Sequence, residues 1–465
     1  MPDPPDAWFP EYPEPCPDIP SGLSDDLLVR PLTKSSVLED IDLYFTILRF
    51  AYSGYGYFGG DESFFPARER VKAEITRMPD NVSIPVIANI VVGELGFIAD
   101  LHSSFGRVRF TKDHAFCMDE SIVFVRRNGE YFLDEVMWPR RVLSVSGESP
   151  SRYIKPSIDR NGRIVHRLAG LFDAGELGPD STARLDLELS TIFGVKTVRS
   201  VALRCITRRI GLSGPSYAVN ETGDYPVLRV SRCFPNGADD DSLDSFVADG
   251  ARFASKPLLY LDCRGNIGGS DIYSYGFIEG LTGTKPNAYT FEADRKAPLI
   301  ERLIEYMVSM DTVADEAEKE TITRELIDRF VETKTYRSTW HRYVMERPRT
   351  LPHDGLIVAA ADRGVASSGE TMIQCLRLVQ GSLILGTPTA GCCSFGNVIR
   401  YRLPRSGIEI NIPVSFFMQA YGTREGEGIE PDLWMPPDEA KPRFEAMLER
   451  YGVDAILEVI NGIRE

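Results

Sequence analysis

Three short segments of this 465-residue chain combine residue types that could do nucleophilic chemistry. In the first, Leu258-Leu-Tyr-Leu-Asp262-Cys-Arg264-Gly265-Asn266-Ile-Gly268-Gly269, a buried-type strand runs into a glycine-rich turn. Glycines let backbone amides approach a ligand closely, as an oxyanion hole requires, and they equally suit an ordinary strand-to-helix turn. Neither common phosphate-cradling glycine spacing is present. In the second, an apolar run at 356–361 leads to Ser367-Ser368-Gly369-Glu370 and then to an amphipathic helix. A serine at such a turn presents its hydroxyl beside helix-end amides, which suits a nucleophile, whereas Ser367-x-x-Glu370 is also a capping box that accounts for both residues without catalysis. The third, Asp100-Leu-His102-Ser103-Ser104, is expected at the end of a helix and offers the base that a serine nucleophile needs near neutral pH. The other histidines, His114, His166, His341 and His353, lack a companion acid-and-turn pattern and read as surface or satisfied core residues.

The elements that must position these segments follow from periodicity. Residues 1–30 are rich in proline and acid and are expected to form an extended arm, because proline fixes φ and lacks an amide donor. From Ser36 the pattern becomes helical: Ser36-x-x-Glu39 has capping-box spacing, and Ile41, Phe45, Leu48 and Tyr52 share a face. Further amphipathic stretches run through Val71, Ile75 and Met78 and over 87–101, which predicts an N-terminal helical subdomain at 31–105. Short β segments at 121–126, 131–136, 141–146 and 185–189 predict a β-rich domain at 106–215. Buried-type runs at 227–230, 257–262 and 356–361 alternate with helical stretches and predict an α/β core at 220–440. Within that core, 299–335 reads as a charged helical insertion, a candidate cap, and 441–465 as a C-terminal helix.

Composition excludes several classes. At about 150 residues per domain the chain has room for about three domains, and an apolar fraction of 43% is that of a globular protein. Acidic residues outnumber basic ones by 68 to 52, so the net charge of −16 repels phosphate backbones and anionic membranes, and neither nucleic acid nor membrane is an expected partner. The first residues do not read as a signal peptide, and the most apolar stretch, 84–101, is broken by Pro85, Asn89, Glu94 and Asp100. The eight cysteines show no CxxC or metal-type clustering, a pattern that suits free thiols in a reducing cytoplasm. A soluble, cytoplasmic protein is expected.

Together the segments resemble a known family. Asp262-x-Arg264-Gly265-Asn266-x-Gly268-Gly269, then Ser367-x-Gly369-Glu370, then Gly386-Thr-Pro-Thr389-Ala-Gly391 and Glu425-Gly-Glu427-Gly428-Ile429-Glu430-Pro431-Asp432 are similar, in order, to the motif blocks of the C-terminal processing (tail-specific) serine peptidases. The resemblance implies a ClpP/crotonase-like α/β core, with the β-rich domain either PDZ-like or a plain β spacer. Many members use a serine–lysine dyad, but the lysine block here reads Thr389-Ala-Gly391-Cys392, and no lysine occurs between Ser367 and Lys441. Cys392 at that position reads as a small filler without a catalytic role. The tricorn-like branch resembles a serine–histidine–glutamate arrangement instead, which implies Ser367 as nucleophile, His102 as base and Glu425, or Glu427 if the loop is shifted by two, as the orienting acid. The backbone amides of Ser368 and of Gly268 or Gly269 would hold the oxyanion. This reading implies a peptide or protein substrate and needs no cofactor or metal, and it is compatible with a homo-oligomer that limits access. The alternatives are a non-catalytic peptide- or small-lipid-binding protein on the same core and, with least support, an acyl-CoA enzyme of the crotonase type.

Overall fold

All six residues of Leu356–Ala361 are buried, as a central parallel strand covered on both faces requires. In this computed structural model that strand lies between Leu258–Asp262 and Ser382–Gly386, with Val227–Val230 and Leu433–Trp434 beyond them, all parallel, and Tyr217–Asn220 antiparallel at one edge. Period-two alternation sends Tyr260, Val358, Ala360, Leu383 and Leu385 toward Phe444 and Met447 of the helix Ala440–Arg464. Helix Ser368–Leu378 packs on Leu356–Ala361 and Ser382–Gly386, beside it lies the helix Asp271–Thr282, and that helix packs in turn against Ser242–Phe253. The architecture is mixed α/β.

The structure describes residues 4–20, 32–80, 83–111, 114–134, 139–177, 181–191, 193–206, 214–237, 239–310, 316–332, 334–346, 348–419, 423 and 425–464. Parts of the expected arm, 1–3 and 21–30, and positions 135–136 of one expected strand lie outside them. The chain divides into two units. Unit one comprises Met1–Thr111, Tyr289–Arg347 and Cys392–Gly426, and unit two comprises Lys112–Ala288, Pro348–Gly391 and Glu427–Glu465.

Unit two also holds an antiparallel sheet built from residues 114–206. Its strand His114–Met118 pairs with both Lys196–Ile206 and Ile164–Asp173, so all its strands except Ile154–Ile158 form a closed ring. Among the described residues this stretch has no α-helix, only the 3₁₀ turns Pro150–Arg152 and Ala174–Glu176. The ring corrects the expectation of free thiols throughout: Cys117 and Cys205 sit opposite each other on paired strands and are disulfide-bonded. They are 88 residues apart, so no local spacing marks the pair.

Unit one is an antiparallel sheet in the order Thr339–Val344, Tyr289–Lys296, Glu409–Gln419, Asp100–Phe105, Val108–Phe110, with Phe395–Arg402 also paired to Glu409–Gln419. Its core joins Ile41, Tyr44 and Leu48 of the helix Lys34–Ala51 to Leu299, Ile300 and Ile304 of Leu299–Ser309 and to Ile410 and Ile412 of the sheet. Two local readings are corrected here. The first helix is capped by Thr33, whose hydroxyl accepts from the Ser36 N–H at 3.3 Å, so Ser36 lies inside the helix and not at its start. The predicted helix over 87–101 ends at Glu94, and residues 100–105, with His102, form a strand. Gly93 and Gly96 weaken the helix there, and the paired edge of Glu409–Gln419 supplies the hydrogen bonds that a strand needs. Among the described residues no helix is long and apolar enough to cross a membrane.

The proline-rich arm is integral to this unit, burying Phe9, Tyr12 and Ile19. Arg295 holds it: its guanidinium, 1% exposed, donates to the carbonyls of Pro10 at 2.6 Å, Phe50 at 3.1 Å and Arg49 at 3.1 Å and stacks 4.7 Å from the Trp340 ring. Burial pushes its pKa down to about 10, which leaves it charged at neutral pH. Arg295→Ala is expected to cost about 3 kcal/mol, since it removes three hydrogen bonds from a buried charged donor. A urea midpoint lowered at constant m-value, with new proteolytic cleavage within 6–20, is the expected result.

Candidate active site

The Ser367 turn and the glycine turn follow neighbouring strands whose register pairs Asp262 with Ala360. They therefore leave the sheet at the same level and touch. Gly265 N–H donates to Asp362 Oδ1 at 2.8 Å, and Ala366 N–H donates to the Asn266 carbonyl at 2.9 Å. At Gly268, φ is +93°, and a Cβ there would lie 2.7 Å from the Ala366 carbonyl oxygen and 2.8 Å from Ser367 Cβ. Only glycine permits that approach. Asp262 and Arg264 of the same block are structural: the guanidinium grips the carboxylate at 2.7 and 2.8 Å and donates to the Pro437 carbonyl. Burial opposes ionisation of Asp262, but Arg264 and Arg229 outweigh it and hold the carboxyl below its usual range.

Ser367 adopts φ 54° and ψ −126°, a sparsely populated conformation for a residue with a side chain. Such strain at a strand-to-helix turn turns a side chain out from the end of the sheet. The restraint is Glu370. Its wholly buried carboxylate accepts from Ser367 N–H at 3.2 Å, Gly391 N–H at 2.9 Å and the Thr389 hydroxyl. The capping box expected from the sequence is therefore present, and the same carboxylate also holds the Thr389-Ala-Gly391 block.

Two amides face the turn without an intramolecular acceptor among the described residues, those of Gly269 and Ser368. The Gly268 N–H is committed to Asn266 Oδ1 at 3.0 Å. Ser368 Oγ donates to the Gly269 carbonyl at 2.8 Å, which holds the two peptides side by side. Ser367, Ser368, Gly268 and Gly269 thus meet in unit two.

His102 and Glu425 meet in unit one. Asp100, fully buried, accepts through Oδ1 from the N–H groups of His102 at 2.8 Å and Ser103 at 3.3 Å, and through Oδ2 from the hydroxyls of Ser103 at 2.5 Å and Tyr52 at 2.9 Å. Glu425 accepts from Leu101 N–H at 3.2 Å through Oε1 and from Cys393 and Ser394 N–H at 3.0 and 2.8 Å through Oε2. The ring nitrogens of His102 lie 3.2 and 3.4 Å from Cys392 Sγ. Burial lowers the pKa of His102 below the usual histidine value, with Asp100 opposing and Arg109 adding to the effect, so the neutral, proton-accepting imidazole persists to lower pH than in an exposed histidine. Glu427 belongs to unit two and is exposed. Sequence reasoning did not assign roles to Asp100 or Tyr52, and it took Cys392 for a filler. Asp100 stood two residues before the histidine and was legible in principle, whereas Tyr52 is 48 residues from Asp100 and carries no local signal.

Glu370→Ala removes the acceptor of three buried donors, with an expected cost of about 3–5 kcal/mol. Glu370→Gln keeps one acceptor oxygen and is expected to lose about half as much. Urea denaturation of both variants measures the difference.

Residues 227–435 match the model of peptidase family S41. None of the curated proteins matches the chain. Among solved structures, mature CPAF is 14% identical over 92% of this chain and 98% of its own, with a TM-score of 0.45. The photosystem II D1 C-terminal processing protease is 13% identical over 91% of this chain and 98% of its own, with a TM-score of 0.36. The tricorn protease is 15% identical over 93% of this chain, which spans 37% of that longer one, with a TM-score of 0.39. The matched residues, 227–435, carry both the glycine turn and the strained Ser367 turn, and over them the chain resembles the serine-type peptidases of family S41.

Proposed function

We propose that the protein hydrolyses peptide bonds of peptide or protein substrates through an acyl-enzyme, with Ser367 as nucleophile, His102 as general base and Glu425 as the orienting acid. The observation that carries this reading is the strained conformation of Ser367, held by buried Glu370 beside a glycine turn that leaves the Gly269 and Ser368 amides available. Ser367 Oγ bonds to the substrate carbonyl carbon while its proton passes to His102. The imidazolium then protonates the leaving amine as the C–N bond breaks, and water hydrolyses the ester by the reverse proton path. The amides of Ser368 and Gly269 would carry the oxyanion.

Three observations support the finer assignment. No lysine stands at the dyad position, which is Cys392. Burial lowers the pKa of His102, and Glu425 lies beside the imidazole in unit one while Glu427 is exposed in unit two. The parallel sheet with its paired turns is consistent with a ClpP/crotonase-like core. For the β-rich part, the lack of an α-helix among the described residues of 114–206 favours a β spacer over a PDZ-like module.

Fluorophosphonate labelling with peptide mapping, carried out with chelator present, tests the assignment. Wild-type protein is expected to be modified at Ser367. Ser367→Ala abolishes labelling and turnover with the melting temperature nearly intact, and His102→Ala slows labelling by about 10²–10⁴-fold. The acid limb of kcat/KM is expected below about 6.5, since lowering the pKa of a base extends activity to lower pH. A folded protein that never labels, or labelling untouched by His102→Ala, would leave the binding-protein alternative.

A further inference from the structure

The imidazole of His102, the thiol of Cys392 and the carboxylate of Glu425 are brought together by one strand and two loops of unit one, and one ligand atom from each lies within 4.8 Å of the other two. We propose that these three side chains form a binding site for a thiophilic divalent cation of the zinc class, and that its occupancy shuts off the peptidase by taking up the imidazole lone pair. The inhibitory part rests on the role given to His102 above; the site itself does not.

The chemistry of the donors fits. Nitrogen, thiolate and carboxylate are the ligand types of zinc sites, and three protein ligands leave a fourth position for water. Tetrahedral bonding with Zn–N near 2.0 Å and Zn–S near 2.3 Å sets the nitrogen and sulfur about 3.5 Å apart. The distances from Sγ to the two ring nitrogens are 3.2 and 3.4 Å, so a small rotation of either side chain opens the required gap. The outer partners are in place as well. Glu425 is oriented by the N–H groups of Leu101, Cys393 and Ser394. The backbone on the histidine side is fixed by Asp100, itself held by Tyr52 and Ser103. A filler residue at 392 needs no thiol; a ligand does. Binding releases the thiol proton to solvent and changes no oxidation state.

The test is cobalt titration of the Ser367→Ala protein, which reads metal binding without turnover. One equivalent of Co²⁺ is expected to produce a thiolate-to-metal charge-transfer band with tetrahedral visible bands, both removed by Zn²⁺. Cys392→Ser is expected to abolish the charge-transfer band and weaken Zn²⁺ binding by at least about 100-fold, whereas Cys393→Ser keeps both. Circular dichroism checks that each variant is folded. Absence of the band in Ser367→Ala, or its persistence in Cys392→Ser, overturns the site. If the band behaves as expected, Zn²⁺ should block fluorophosphonate labelling of Ser367 in wild type at least about tenfold more than in Cys392→Ser. Cation binding without such a block overturns the inhibitory part alone, and labelling that fails in chelator faults the assignment of Ser367, not the site.

Discussion

The contact between two backbone turns is the constraint on which the Ser367 side of the molecule depends. Adjacent parallel strands, Leu258–Asp262 and Leu356–Ala361, end in register, so the chain segments leaving them occupy the same space unless one lacks side chains. Gly268 resolves the conflict by omitting a Cβ that would meet both the Ala366 carbonyl and Ser367. Asn266 and Asp362 lock the two turns together through backbone donors. The positive φ of Ser367 is tolerable because these bonds and Glu370 fix the turn from both sides, in the way that stored strain persists only where its surroundings over-determine it. Glu370 shows why a capping box and a strained turn are not rival descriptions. One buried carboxylate satisfies a helix-start amide and anchors the next loop.

A different principle organises the histidine side. Here the charged groups are held by backbone amides: Asp100 and Glu425 accept N–H donors from the segments that carry His102, Cys392 and their neighbours. Amide donors satisfy a carboxylate in the interior without adding a counter-charge beside the imidazole. A histidine lone pair in such a setting can take a proton or a metal ion but not both. Acid–base chemistry and cation binding therefore compete directly, and a cysteine in place of the dyad lysine tilts that competition toward soft cations.

The apolar runs at 227–230, 258–262 and 356–361 were readable as buried strands because a parallel sheet covered on both faces leaves little else for such runs to be. The glycine turn and Ser367-x-x-Glu370 were readable for the same local reason, since turn geometry demands particular residue types. Where partners lie far apart in the chain, local reading failed or fell silent. The segment 100–105 looked helical by continuity with the preceding helix, yet the edge of Glu409–Gln419 draws it into a sheet. Ser36 looked like a cap, yet Thr33 takes the position. Nothing near Cys117 announces Cys205, and nothing near Arg295 announces the carbonyls of Pro10, Arg49 and Phe50.

The sequence by itself determined the α/β character of the core, the serine and glycine turns, and the absence of a lysine where a dyad would need one, because each depends on residue type at short spacing. Only the tertiary structure decided that the Gly268 amide is committed to Asn266 while that of Gly269 is not. The same holds for Glu425 rather than Glu427 standing beside His102, and for Cys392 facing the imidazole. Those outcomes turn on hydrogen bonds and strand register between segments up to hundreds of residues apart, where a slip of one position reverses which side chain points inward.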